Sequence, residues 1–461
     1  MSINAAEKGT VAMSGPSARQ GELSPATVQA FDEGFASDPR RLRAQNAVTS
    51  VAINDIALNR SRLLSVPGSI SHRLDDWEAV DQKKSGRCWL FAALNLLRAD
   101  ARKKLSLKNF EFSQNHAMYW DKLERANAFL EDMITLSGRS VDDRLLSFLL
   151  GNVMNDGGQW NMAVSIFTKH GAVPKEVMPE TESSSNTSAM NKSLSSHLRK
   201  EAGVLREAIT AGALPEQVAA HKERILRDFH AILTIHLGTP PKDFEWAWND
   251  DNKKYCNAGT FTPQEFLRKF TDMNLDDYVC LVDDPRLEHP KNTPLTVDHL
   301  GNVVGGNPVL YLNADIEVMR ELAAAAIVDG EPVWFGCDVS PQMSEKDGVW
   351  AGDLFDYSGV YGVDLVSTKE DRVRYRDSEM THAMLFTGVD LVNGRPRRWR
   401  VENSWGSEKF DKGFCTMDDS WFDEYVFEVV VNKSRLTGPL KDALSREPLV
   451  LPAWDPMGAL A

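Results

Sequence analysis

Covalent reinforcement is scarce in this sequence. Its 461 residues carry five cysteines (Cys88, Cys256, Cys280, Cys337 and Cys415), an odd and scattered set. None is spaced as a metal knuckle or redox pair, and so sparse a set excludes the dense disulfide framework of small secreted folds. Uninterrupted apolar stretches are missing too: no run approaches the roughly 18 residues that a membrane span needs. Met1 through Gly21 is small and polar, without a basic start leading into an apolar core, so no secretory signal is read there. No repeat of fixed period is visible. Positive charge is in deficit, 52 Lys and Arg against 66 Asp and Glu, a net charge of −14. Nucleic-acid binding rests on cationic neutralisation of phosphate, so this balance disfavours it. What remains is an acidic globular chain, 42% hydrophobic and 26% charged, long enough for the cores of two or three domains. Its expected compartment is the cytoplasm.

The chemistry is concentrated in a few segments. Gln82-Lys83-Lys84-Ser85-Gly86-Arg87-Cys88-Trp89 runs into an apolar helical pattern in which Leu90, Leu94 and Leu97 recur at helical spacing. Cys88 then falls in the first turn, where unpaired N–H groups and the positive dipole end favour a thiolate, the nucleophilic form of cysteine. Gln82 carries an amide N–H able to receive a developing oxyanion. Cys88 alone reads equally well as a small core residue. Further along stand Thr381-His382-Ala383-Met384 and Glu402-Asn403-Ser404-Trp405-Gly406. An imidazole holds the thiolate and protonates the leaving amine, and an Asn carbonyl orients the imidazole without adding charge. Met384–Val389 and Trp399–Val401 read as buried strands, which allows His382 and Asn403 to stand side by side, with Trp405 covering their hydrogen bond.

These segments, in the order Cys, His, Asn, resemble the papain-fold cysteine peptidases, and within them the bleomycin hydrolase and aminopeptidase C group. The resemblance rests on Gln82–Ala93, Asn155-Asp156-Gly157-Gly158-Gln159-Trp160, Thr381–Gly388, Glu402–Gly406 and the ending Trp454-Asp455-Pro456-Met457-Gly458-Ala459-Leu460-Ala461. Arg87 departs from secreted relatives, which carry a small residue before the cysteine. The resemblance implies an α+β papain-like fold, with a helical left half and a β-rich right half. It also implies that Gly157 and Gly158 pair with substrate backbone, that Cys88, His382, Asn403 and Gln82 are catalytic, and that the assembly is a homohexamer. Neither metal nor cofactor is expected. Bleomycin-type amide hydrolysis is implied as a side reaction.

The chain divides, on this reading, into a variable polar extension (1–21), a helical catalytic half with Cys88 (22–180), a mainly helical insertion (181–277), a β-rich half with His382 and Asn403 (278–440) and a C-terminal arm (441–461). An amphipathic helix is expected after Ser24-Pro25. Glu182–Asn191, rich in Ser, Asn and Thr, reads as a loop or flexible connection. Residues 192–236 read as charged helices with an apolar stripe at Leu198, Val204, Leu205, Ile209, Val218, Ile225 and Phe229. Cys88 and His382 lie 294 positions apart, about twice the separation usual in papain-type enzymes. Insertions of that size commonly serve assembly or access.

The arm is unusual for a terminus, being apolar at Leu449, Val450, Leu451, Trp454, Met457 and Leu460, and held extended by Pro448, Pro452 and Pro456. Given the resemblance, it would enter the cleft and present the Ala461 carboxylate to the amino group of a peptide. At about 4 Å and an effective dielectric near 20, that attraction is on the order of 4 kcal/mol. The expectation is therefore a cytoplasmic cysteine aminopeptidase acting on peptides with a free N-terminus. Its rivals are an endopeptidase of the same fold, should the arm be trimmed or docked elsewhere, and more remotely a nucleic-acid-binding or scaffold protein.

Overall fold

The computed structural model describes residues 21–74 and 77–461, so the call on the N-terminal extension lies almost wholly outside the described residues. The chain forms two units: one of residues 21–58 with Phe355–Val366, the other of Asn59–Leu354 with Ser367–Ala461. The sequence divisions had not separated the first. Its helices Pro25–Ala36 and Pro39–Val48 start at Ser24 and Asp38, whose side chains accept backbone N–H bonds, with Pro at the tolerated first position. Neither helix buries a residue, and Val28 and Phe31 stand exposed. The expected helix exists, with no residue of it fully buried among the described residues.

The second unit is built on a sheet of 12 strands. From one edge run Leu449–Leu451, Thr293–Val297, Tyr311–Asn313, Tyr278–Val282, Val426–Asn432 and Val333–Cys337, followed by His382–Val392, Arg395–Glu402 and Phe414–Asp418. The short pieces Val349–Trp350 and Met343–Ser344 end the row, and His72–Arg73 pairs with His382–Val392. Strand His382–Val392 is buried from His382 through Asp390, so it carries core on both faces. Ala383 and Leu385 join the core around helix Cys88–Leu105, while Met384 and Phe386 join a second core with helix Ile316–Val328, the period-2 alternation of a strand.

Helix Cys88–Leu105 is buried all round from Cys88 to Arg98. The spacing of leucines had suggested one inward face. The helix instead passes through the middle of the larger core, as a helix apolar on every side must. It ends at Ser106 in the left-handed region, with Arg102, Lys103 and Lys104 beside the negative dipole end.

Residues 181–277 contain helices Ser188–Thr210 and Pro215–Leu237, a hairpin of Phe244–Asn249 with Tyr255–Phe261, and helix Pro263–Phe270. Leu198, Leu205, Ile225 and Phe229 are buried, but Val204 is exposed, so the expected stripe is narrower by one residue. Glu182–Asn191 is not a loop. Thr181 and Ser184 cap each other reciprocally around a turn at Glu182–Ser185, and Ser188 opens the next helix. Ser and Thr are common in loops, but they are also the best caps.

Candidate active site

Two walls of different construction meet at the site. Cys88 is the first residue of its helix, as expected, and only 2% exposed. On the opposite wall, antiparallel pairing of Leu385 with Glu402 brings the start of one strand and the end of its neighbour to the same end of the sheet. His382 is the first residue of the one, and Asn403 directly follows the other. His382 Nε2 donates to Asn403 Oδ1 at 2.9 Å, which leaves Nδ1 as the ring's free acceptor. The Trp405 ring centre lies 5.3 Å from that of His382, tilted by 34°. Asn403 Oδ1 also accepts the Ser404 N–H at 2.8 Å, so the amide is oriented from two sides.

Gln82 spans the gap. Its backbone N–H donates to Ser404 O at 2.9 Å, and Ser404 Oγ donates to its Oε1 at 2.5 Å. Its Nε2 donates to Ser85 O at 2.6 Å, and the second hydrogen on that nitrogen is left over for another acceptor.

Burial opposes charge on either reacting group taken alone. It pushes the Cys88 thiol up to about 11, against the backbone N–H groups of Ala383, Trp89 and Cys88 that favour the thiolate. It pulls the His382 imidazole down to about 4, against the hydrogen bond to Asn403. Charging both groups at once, by transfer of the thiol proton to the imidazole, would set their mutual attraction against both costs.

Gly157 and Gly158 are glycines for different reasons. A Cβ on Gly158 would sit 2.5 Å from the Trp89 ring, so only glycine lets this segment lie against the Cys88 helix. A Cβ on Gly157 would meet Ala461 O at 2.6 Å and Leu460 Cβ at 2.8 Å. The arm therefore lies across this segment. Gly158 N–H donates to Ala461 O at 3.2 Å, and Gln159 Nε2 to Ala459 O at 2.6 Å. Further back, Tyr311 Oη donates to Met457 O at 3.2 Å, and Arg286 grips Asp455 with two bonds of 3.0 and 2.7 Å. The arm also contains strand Leu449–Leu451 and a 3-10 turn at Pro456–Gly458, more regular than its prolines had suggested. Beside it opens a cavity of about 880 Å³, with Phe129, Phe148, Leu149 and Leu300 among its apolar walls and Gly86, Gly157 and Thr381 towards the cleft.

Sequence reasoning missed the polar groups that hold these pieces. Arg87 is 1% exposed and pairs with Glu180 through bonds of 3.0 and 2.8 Å. The Glu402 carboxylate is buried beside Asn403 and accepts from Trp77 Nε1 at 2.7 Å, Asn95 Nδ2 at 2.9 Å and Arg98 Nη2 at 2.7 Å. Asn95 and Arg98 belong to the Cys88 helix, so this cluster ties one wall to the other. Neither residue carried a mark of burial in the sequence: Arg87 precedes the Cys88 helix, and Glu402 ends the arginine-rich strand Arg395–Glu402.

The Peptidase C1-like family is matched over residues 22–458. The chain belongs to that family. It is 40% identical over 443 residues to aminopeptidase C of Listeria monocytogenes, covering 96% of this chain and 100% of the relative. Human bleomycin hydrolase is 40% identical over 449 residues, covering 95% and 99%. The crystal structure of PepW from Lactobacillus rhamnosis HN001 superposes with a TM-score of 0.94 at 39% identity, covering 96% of this chain and all of that one. The α+β papain-like architecture follows, and the protein is a cysteine peptidase of the aminopeptidase C and bleomycin hydrolase group.

Proposed function

We propose that this cysteine peptidase removes residues from the amino end of peptides. Cys88, relieved of its proton by His382, attacks the first peptide carbonyl. Gln82 Nε2 and the Cys88 N–H receive the oxyanion of the tetrahedral intermediate. The C–N bond breaks as the His382 imidazolium protonates the departing amine, leaving a thioester on Cys88. Water, deprotonated by His382, then releases the amino acid. Asn403 keeps the ring in register throughout.

The observation that carries the exopeptidase reading is the position of the arm. Ala459 to Ala461 lie along Gly157–Gln159, in space that an extended substrate would otherwise use. A free carboxylate at Ala461 would attract the ammonium of a peptide. The cavity beside it accommodates large side chains, which suits broad selectivity, and amides such as bleomycin fit the same chemistry. Assembly into a homohexamer is supported by the uncovered apolar residues of helix Pro25–Ala36. All five cysteines are unpaired, in keeping with a reducing cytoplasm.

The deciding experiment removes Gly458–Ala461 from protein whose intact mass shows Ala461 as the final residue. Turnover of matched free-amine and N-acetylated fluorogenic peptides is then compared. Activity on free amines is expected to fall and activity on blocked peptides to rise. An unchanged ratio would leave the arm as a packing strap and favour the endopeptidase alternative.

A further inference from the structure

Asp156 lies on the glycine segment, directly before Gly157, and its side chain is 8% exposed. Its backbone carbonyl accepts Trp89 Nε1 at 2.6 Å, and one carboxylate oxygen accepts the Gly86 N–H at 3.2 Å. Those two donors flank Cys88 in the sequence, so Asp156 holds the chain on both sides of the thiol. The same oxygen accepts from Thr187 Oγ1, and the other accepts from Asn191 Nδ2 and Lys122 Nζ, both at 2.7 Å. Lys122 is fully buried. Burial pushes the Asp156 carboxyl up, but Lys122, Thr187 and Asn191 overcome that and hold it well below the usual carboxylate range.

Thr187 and Asn191 come from the start of the helical insertion. That stretch also bonds backbone to backbone with the oxyanion loop: Lys84 N–H donates to Ser185 O at 3.0 Å, and Thr187 N–H donates to Lys84 O at 3.3 Å. The insertion is thus a buttress of the nucleophile loop. A buried ion pair adds little net stability compared with an apolar filling of the same volume, because desolvation consumes most of the attraction. Its directional bonds do fix positions, and a displacement of about 1 Å at a reacting atom costs on the order of 10²-fold in rate.

We infer that Asp156 is a positioning residue for Cys88, setting where the thiol stands through Gly86 and Trp89, and that the insertion holds Asp156 in place through Thr187 and Asn191. The inference rests on the reading of Cys88 as nucleophile. The charged or titratable groups facing Asp156 are Lys122 and, across the loop, Cys88, while Arg125 is engaged by Asp121 and by Gly157 O. The negative charge of Asp156 opposes the thiolate, so its removal has a direction that packing alone lacks.

The test compares Asp156→Asn, Thr187→Val and Thr187→Ser with the parent enzyme. The readouts are kcat and KM on a free-amine peptide and the pH profile of iodoacetamide alkylation at Cys88. Asp156→Asn is expected to lower kcat by about 10²-fold with little change in KM, and to move the alkylation profile to lower pH. Thr187→Val is expected to lower kcat about 10-fold as one of the carboxylate's donors is lost, and Thr187→Ser, which keeps the hydroxyl, to recover most of that loss. Unchanged kcat and an unmoved profile in Asp156→Asn overturn the inference. Should that variant fail to fold, equal kcat in Thr187→Val and the parent overturns it instead. Cys88→Ala is run alongside: if it still turns over substrate, the nucleophile reading fails; if it is inactive while Asp156→Asn is normal, only the present inference fails.

Discussion

The Cys88 wall and the His382 wall of the candidate site are held by different physics. Cys88 follows a loop tied by polar bonds to distant segments, Arg87 to Glu180 and Gly86 to Asp156 among them. His382 and Asn403 stand at the ends of paired strands with core on both faces, and their own polar link is a single bond of 2.9 Å. Strand register places side chains without charged partners, because a slip of one residue would turn a whole strand inside out. A loop has no such register and needs directional bonds. The walls meet at Glu402, a strand residue bound by Arg98 and Asn95 of helix Cys88–Leu105.

The largest effect that tests this contrast is loss of either reacting group. Cys88→Ala and His382→Ala are each expected to lower turnover by at least about 10⁴-fold, with the double variant little worse, because the pair acts as a unit. If the double variant is worse by the product of both losses, the two walls act independently. The same pair sets the pH dependence. Alkylation of Cys88 is expected to reach its plateau in mild acid, with the imidazolium holding the thiolate. A rise only as pH approaches about 11 would mean that burial wins over the ion pair.

A smaller loss is expected from the residue that touches both walls. Gln82→Ala is expected to cost roughly 10²–10³-fold in kcat through its oxyanion donor. It also removes the bonds to Ser85 and Ser404, so both the loop and the base wall lose a contact. An anilide substrate turned over equally by both proteins would remove Gln82 from the oxyanion site.

The smallest effect falls on stability, within the sheet. Burial pushes the Glu428 carboxyl from 4.5 up to about 8. The folded state therefore binds that proton more tightly than the unfolded one, and the stability it provides is greatest below pH 4.5 and declines as pH rises towards 8. Glu428→Gln stays neutral throughout. Its Tm is expected to exceed that of the parent at pH 8 and to approach it at pH 5. Equal Tm differences at both pH values would show that Glu428 finds a compensating cation.

Much of this was legible in the sequence, and what was missed shares a cause. The Cys, His and Asn segments could be read because each couples one reactive residue type to an apolar pattern of known period. The buried strands around Met384 and Trp399 followed from the same pattern. Arg87, Lys122, Asp156 and Glu180 were not assigned roles, because a charged residue carries no mark of burial until its partner is known. Those partners lie tens of residues away. Glu182–Asn191 misled because capping residues and loop residues are the same amino acids.

The grip of Arg286 on Asp455 gives the arm the properties of a measuring rod. Each hydrogen bond between Ala459–Ala461 and the cleft is worth only about 0.5–1.5 kcal/mol net. A free tripeptide making those contacts would bind weakly and leave at once. Tethered near the cleft, the same residues are present at an effective concentration in the millimolar range or above, independent of how dilute the protein is. Occupancy is then supplied by the tether, and the reach of the arm by the number of residues beyond it. One residue more or fewer moves its tip by about 3.3 Å, close to the spacing of residues along an extended peptide. For the proposed reaction, the place where a substrate is cut is thus a count of covalent bonds, to be lengthened or shortened in whole steps.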